Sequence, residues 1–180
     1  MDKPLTTVSR RLVIGGLLAT PFVVRPAEAL SRARSLSMLH LHTKENIKAT
    51  YWRNGRYDPA AWVEINEFMR DWRTDDIHAM DPRVLDILHY ICGRMRHLDK
   101  VEILSGYRSP KTNRMLRENS GGVARNSYHV KGQAIDFYLP GKSLRKTYRT
   151  AVGMKAGGVG LYTGSHFIHI DSGPARTWGS

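Results

Sequence analysis

Asn126-Ser127-Tyr128-His129-Val130-Lys131-Gly132-Gln133-Ala134-Ile135-Asp136 supplies an imidazole and, seven positions later, a carboxylate that falls within an alternating run. Over Gln133 to Leu139 a period of two puts Ala134, Asp136 and Tyr138 on one face of a strand, and Ile135, Phe137 and Leu139 on the other. The acid therefore stands on the face away from the apolar side chains. A strand of the same design follows at Phe167 to Asp171, where Phe167, His169 and Asp171 share one face and Ile168 and Ile170 the opposite one. His129 in a loop before the first strand, Asp136 on it and His169 on the later one converge only if the strands are neighbours in one sheet. The fold expected is α+β, with a small antiparallel sheet that carries this polar cluster and is flanked by helices.

Upstream, Ser35 to Tyr57 alternates loosely around a polar Thr43-Lys44-Glu45-Asn46 break and ends at Asn54-Gly55, which predicts two or three short strands. His40 and His42 fall on one strand face and read as solvated or hydrogen-bonded histidines. Asp58-Pro59 and Asp81-Pro82 each give an N-cap followed by proline at the first helical position. Trp62, Ile65, Met69 and Trp72 form the apolar stripe of the first helix. The second runs to about His97 with Val84, Leu85, Leu88, Ile91, Cys92 and Met95 inward, so its lone cysteine reads as buried and inert. Val101 to Ser105 predicts a strand, Ser109-Pro110 a helix through Leu116, Ser143 to about Met154 a basic helix, and Val159 to Tyr162 another strand.

The chain has 180 residues, 41% of them hydrophobic, enough for one ordinary domain with a core and no disulfide. Residues 1–29 read as an export signal: basic residues precede a short apolar core (Leu12 to Val24), and Ala27-Glu28-Ala29 is a cleavage pattern. That core is too short for a comfortable membrane span. Ser9-Arg10-Arg11-Leu12-Val13-Ile14 resembles a twin-arginine address. Residues 30–180 are then the working domain, periplasmic, without stable membrane insertion and expected to be a monomer. The formal charge is +12, and loss of the signal removes four basic and two acidic residues to leave +10. Such a charge favours an anionic partner. With no basic run interleaved with aromatics and no helix-turn-helix or RNA-binding signature, nucleic acid is not the partner expected.

Two imidazoles and a carboxylate suffice to hold a zinc ion and leave one coordination position for water, the arrangement of a catalytic site. Spacing alone leaves chance scatter of histidines and acids as the alternative. Ser127-Tyr128-His129-Val130-Lys131-Gly132-Gln133-Ala134-Ile135-Asp136, however, resembles the SxHxxGxAxD motif of the LAS zinc peptidases. This superfamily contains D-Ala-D-Ala carboxypeptidases, dipeptidases and murein endopeptidases. Gly106-Tyr107-Arg108-Ser109-Pro110 is similar to the GYR segment that precedes it there, and Phe167 to Asp171 to its C-terminal histidine motif. The likeness is greatest to the YcbK-like murein endopeptidases and covers nearly the whole mature chain.

The resemblance implies one zinc per chain on His129, Asp136 and His169. It implies Arg108 at the substrate carbonyl or the developing oxyanion, and Ser127 in a hydrogen bond to ligand or substrate, with a plain turn residue as the alternative for Ser127. Carboxypeptidases and dipeptidases of the superfamily carry a glutamate three residues before the last histidine, and here that position holds His166. His166 could move the proton, since an imidazole titrates near neutrality. Asp171 could share that work or orient a ligand. The departure from glutamate points to a murein endopeptidase acting on peptidoglycan cross-links rather than on terminal D-Ala-D-Ala. A cell-wall binding module without catalysis and a D,D-carboxypeptidase are the rival readings.

Overall fold

The structure, a computed structural model, describes residues 33–119 and 122–179. The expected signal at 1–29 lies outside the described residues. No helix among those described is long and apolar enough to cross a membrane.

Alternating residues open the chain as β1 (Arg34–His40) and β2 (Asn46–Arg53), paired antiparallel, and Asn54-Gly55 turns into the short β3 (Arg56–Tyr57). Asn54 and Gly55 both have positive φ, which suits this hairpin turn. Asp58 caps α1 (Pro59–Phe68) by accepting from the amides of Ala60 and Ala61, and Asp81 caps α2 (Pro82–Met95) by accepting from Arg83. These caps are the ones the sequence predicts, and each contributes about 1 kcal/mol. There follow β4 (Val101–Ser105), α3 (Pro110–Asn119), a 3-10 turn (Tyr128–Lys131) and β5 (Ala134–Tyr138). Then come α4 (Leu144–Met154), β6 (Gly158–Tyr162), β7 (Phe167–Asp171) and β8 (Arg176–Gly179).

All eight strands join one sheet in the order β3-β2-β1-β4-β5-β7-β6-β8. The α+β class is as expected, and the part that carries the polar cluster is antiparallel, with β5 paired to β7 and β7 to β6. The sheet as a whole differs from the small antiparallel one expected. It is mixed, since β1 runs parallel to β4 and β6 parallel to β8. These pairings join segments far apart in sequence, and strand periodicity carries no information on such partners.

One face of the sheet is the core. Ile135, Phe137, Ile168 and Ile170 are at most 1% exposed and pack in one cluster with Leu85, Leu88 and Ile91 of α2 and with side chains of α4. The register Ile135↔Ile170 and Asp136↔His169 sends the alternate residues to the other face. A one-residue slip would bury both polar residues in the core and expose the isoleucines, so hydrophobic burial itself fixes where the polar cluster forms.

His40 is fully buried and accepts from the amides of His42 and Thr43 through Nδ1; burial pushes its pKa down to about 4. His42 lies beyond the end of β1 and stacks on Trp72 at 4.1 Å. Cys92 is buried, and burial pushes its thiol pKa up to about 12. Titration with a thiol reagent is expected to read no reactive thiol in the native chain and one per chain in denaturant.

Candidate metal centre

The turn before β5 sets the first imidazole. Ser127 caps it, accepting from the amide of His129 at 3.3 Å, and Gly132 closes it in the left-handed region at φ 66°. A side chain at Gly132 would also bring its Cβ to 2.3 Å from the carbonyl oxygen of Ala79, so this position takes glycine for space as well as conformation. The His129 ring is 2% exposed, and its Nδ1 donates to the carbonyl of Gly106 at 2.7 Å. That bond leaves the Nε2 lone pair facing β5.

Asp136 meets it there. Its Oδ2 lies 3.2 Å from His129 Nε2 and its Oδ1 lies 2.8 Å from His169 Nδ1, while the two ring nitrogens are 3.2 Å apart. On the far side of the second ring, His169 Nε2 donates to Asp171 Oδ2 at 3.1 Å. Each histidine thus spends one nitrogen on an oxygen behind it and turns the other toward the same point. His129, Asp136 and His169 each offer one ligand atom, all within 4.8 Å of one another, a set able to hold a metal ion. Atoms bound tetrahedrally at about 2 Å stand roughly 3.3 Å apart, close to the separations found here. Donors held from behind by a carbonyl and a carboxylate are the usual support of histidine ligands.

The electrostatics favour the ligating forms of Asp136 and His129, ionised and neutral, and the charged form of His169, whose proton a bound metal would displace. Burial alone would raise the pKa of Asp136, but the adjoining His129 and His169 hold it well below the usual carboxylate range. Burial lowers that of His129, against the pull of Asp136. For His169 burial is outweighed by hydrogen bonds to Asp136 and Asp171, and the pKa is raised.

Beside the triad opens a cavity of about 710 Å³, and Arg108 lines it. Three bonds anchor its loop: Tyr107 donates to the carbonyl of Met69 at 2.8 Å, Arg108 to that of His129 at 3.1 Å, and Ser109 to Asp71 Oδ2 at 2.8 Å. Arg108 Nη2 stands 3.6 Å from Asp136 Oδ2, and its Nε is buried without a partner among the described residues. At the cavity wall its guanidinium presents a fixed positive charge to an oxygen that enters from outside.

Of the residues expected at the site, His129, Asp136, His169 and Arg108 come together, Ser127 lines the cavity as the cap of the turn, and Asp171 stands behind His169. His166 is not brought in. It is exposed at φ 56° in the turn before β7, its ring rests 4.7 Å from that of Tyr138, and it does not line the cavity, although Ser165 and Phe167 do. Residues that the sequence did not mark as part of the site complete the wall: Tyr128, Tyr162, Arg176 and Trp178. Arg176 and Trp178 come from β8, a four-residue edge strand whose alternation after Gly173-Pro174 was the available signal.

A family model described as peptidoglycan L,D-endopeptidase MepK matches residues 28–178. The peptidoglycan L,D-endopeptidase MepK of Escherichia coli K12 is 41% identical over a 182-residue alignment that spans 99% of this chain and all of that protein. The "Probable peptidoglycan L,D-endopeptidase MepK" of Haemophilus influenzae is 37% identical over 164 residues, 91% of this chain and 88% of its own. No solved structure matches the chain.

Proposed function

This chain belongs to the peptidoglycan L,D-endopeptidase MepK family, and from that premise we propose that it is a zinc-dependent murein endopeptidase that hydrolyses L,D amide bonds in peptidoglycan peptide cross-links. The observation that carries the reading is the convergence of His129 Nε2, Asp136 and His169 Nδ1 on one point at the wall of an open cavity. A zinc ion bound to them supplies a Lewis acid for the scissile carbonyl and lowers the pKa of a water toward neutrality.

The protein's own groups do the rest. Asp136 and the two imidazoles present ligand atoms already oriented, so little ordering is left for the moment of binding. Arg108 directs a fixed positive charge into the cavity, where it steadies the carbonyl oxygen as negative charge develops on it. The aromatic wall of Tyr128, Tyr162, Phe167 and Trp178 excludes water from one side of the bound peptide. Proton transfer by His166 requires its ring to leave Tyr138 and turn into the cavity. The basic balance of the chain favours retention on an acidic, carboxylate-rich polymer. That substrate lies outside the cytoplasm, in keeping with an export signal of the twin-arginine type at 1–29, removed to leave a monomeric periplasmic domain.

Incubation with purified sacculi tests the reading. Release of shorter soluble muropeptides is the expected result. A chain that sediments with the wall and releases nothing is a binding module, and one that releases free D-Ala is a D,D-carboxypeptidase.

A further inference from the structure

Asp171 ends β7 with no exposed surface, and five hydrogen bonds converge on its carboxylate. Oδ1 accepts from the amides of Gly158 at 3.1 Å and Gly173 at 2.9 Å and from Arg176 Nη1 at 3.0 Å. Oδ2 accepts from Arg176 Nη2 at 2.6 Å and from His169 Nε2 at 3.1 Å. The guanidinium therefore grips both oxygens, and the oxygen that holds the shorter of its two bonds is the one that meets His169. A bidentate pair fixes the carboxylate plane, which a single-point contact would leave free to turn.

The same guanidinium reaches the other histidine's support. Its Cζ lies 4.8 Å from the ring centre of Tyr128 and 4.9 Å from that of Trp178, between two aromatic faces. Tyr128 begins the 3-10 turn that bears His129, and its carbonyl accepts from Gln133 ahead of β5. The backbone leaves room for the arrangement. A Cβ at Gly158 would fall 2.3 Å from Arg176 Nη1 and 2.5 Å from Asp171 Oδ2, and one at Gly173 would fall 2.4 Å from the Tyr128 ring.

We propose that Arg176 is a positioning residue for the metal, one guanidinium that aligns His169 through Asp171 and braces the His129 turn through Tyr128. Its charge also offsets that of a carboxylate buried without water, which would otherwise be costly to keep beside the site. Arg176 touches neither metal nor substrate bond in this role. Its effect is on how well the two imidazoles are aimed.

The inference rests on the metal reading, and its test keeps the two apart. The measurement is the zinc dissociation constant of the metal-free full chain, taken by competition with a chromogenic chelator, for the wild type, Arg176→Ala, Arg176→Gln and Arg176→Lys, with circular dichroism to select folded variants. Arg176→Gln keeps most of the side-chain stem should the alanine variant fail to fold. The expected result is that loss of the guanidinium weakens zinc binding on the order of 10–100-fold, as loss of an outer partner does. Arg176→Lys, or guanidinium ion added to the alanine variant, is expected to restore a large part of it. Wild-type affinity in the alanine and glutamine variants would overturn the proposal. So would a loss that neither lysine nor guanidinium repairs, since that is the mark of a general packing role. A wild-type chain that binds no zinc removes the metal reading and this inference with it.

Discussion

Asp136→Ala is expected to lose its zinc and to lower muropeptide release by more than about 100-fold, beyond the cost of removing an outer partner of a ligand. Asp136 contributes the only negative charge among the three converging ligands, with one oxygen toward each imidazole. Removing it leaves two imidazoles with the positive charge of Arg108 nearby, an arrangement that holds a divalent cation poorly. The fold is expected to survive, because the core face of β5 is carried by Ile135 and Phe137 and is untouched. Asp136→Asn is the stricter variant: it keeps the shape and removes only the charge. Metal analysis after dialysis, read beside circular dichroism, checks both, and unchanged metal content with unchanged cleavage would show that the site lies elsewhere.

Arg108→Ala is expected to act differently, lowering kcat about 100–1000-fold, equivalent to about 2.7–4 kcal/mol of transition-state stabilisation, while the zinc stays in place. Arg108 lies 3.6 Å from Asp136, too far for a strong bond. As a residue of the cavity lining it presents its charge to whatever enters there. Arg108→Lys is expected to recover only part of the rate, since an ammonium replaces the planar fork with a point charge. Steady-state kinetics on a defined cross-linked muropeptide, with metal content measured on the same samples, separates this loss from that of Asp136→Ala. Equal loss of zinc in both variants would make Arg108 a support of the triad instead of a group that meets substrate.

Much of this architecture was legible because it rests on local chemistry. Asp58-Pro59 and Asp81-Pro82 announce helices through caps that the structure reproduces bond for bond. The period of two along Ala134 to Tyr138 and Phe167 to Asp171 separates the core face from the polar one, and the observed register keeps that separation. What escaped depends on distant partners or on single backbone angles. The parallel joins of β1 to β4 and β6 to β8 have no local signature. Asp71, whose carboxylate anchors the Arg108 loop across 38 positions of sequence, looks like any loop acid until the chain is folded. His166 stands three residues before His169, an odd spacing that puts it on the other strand face unless the chain bends, and with φ 56° and its ring against Tyr138 it lies outside the cavity lining. Arg176 was hidden for the opposite reason: β8 is only four residues long, and its value lies in the carboxylate and the two rings it meets.

Mass analysis of muropeptides from purified sacculi, made with the protein alone, with a chelator present, and after zinc is returned, decides whether the protein is a metal-dependent murein endopeptidase. Shorter peptides from opened L,D cross-links are expected in the first and third samples and an intact cross-link profile in the second. Cleavage that persists undiminished in chelator, or cross-links that stay closed in all three, would contradict that assignment.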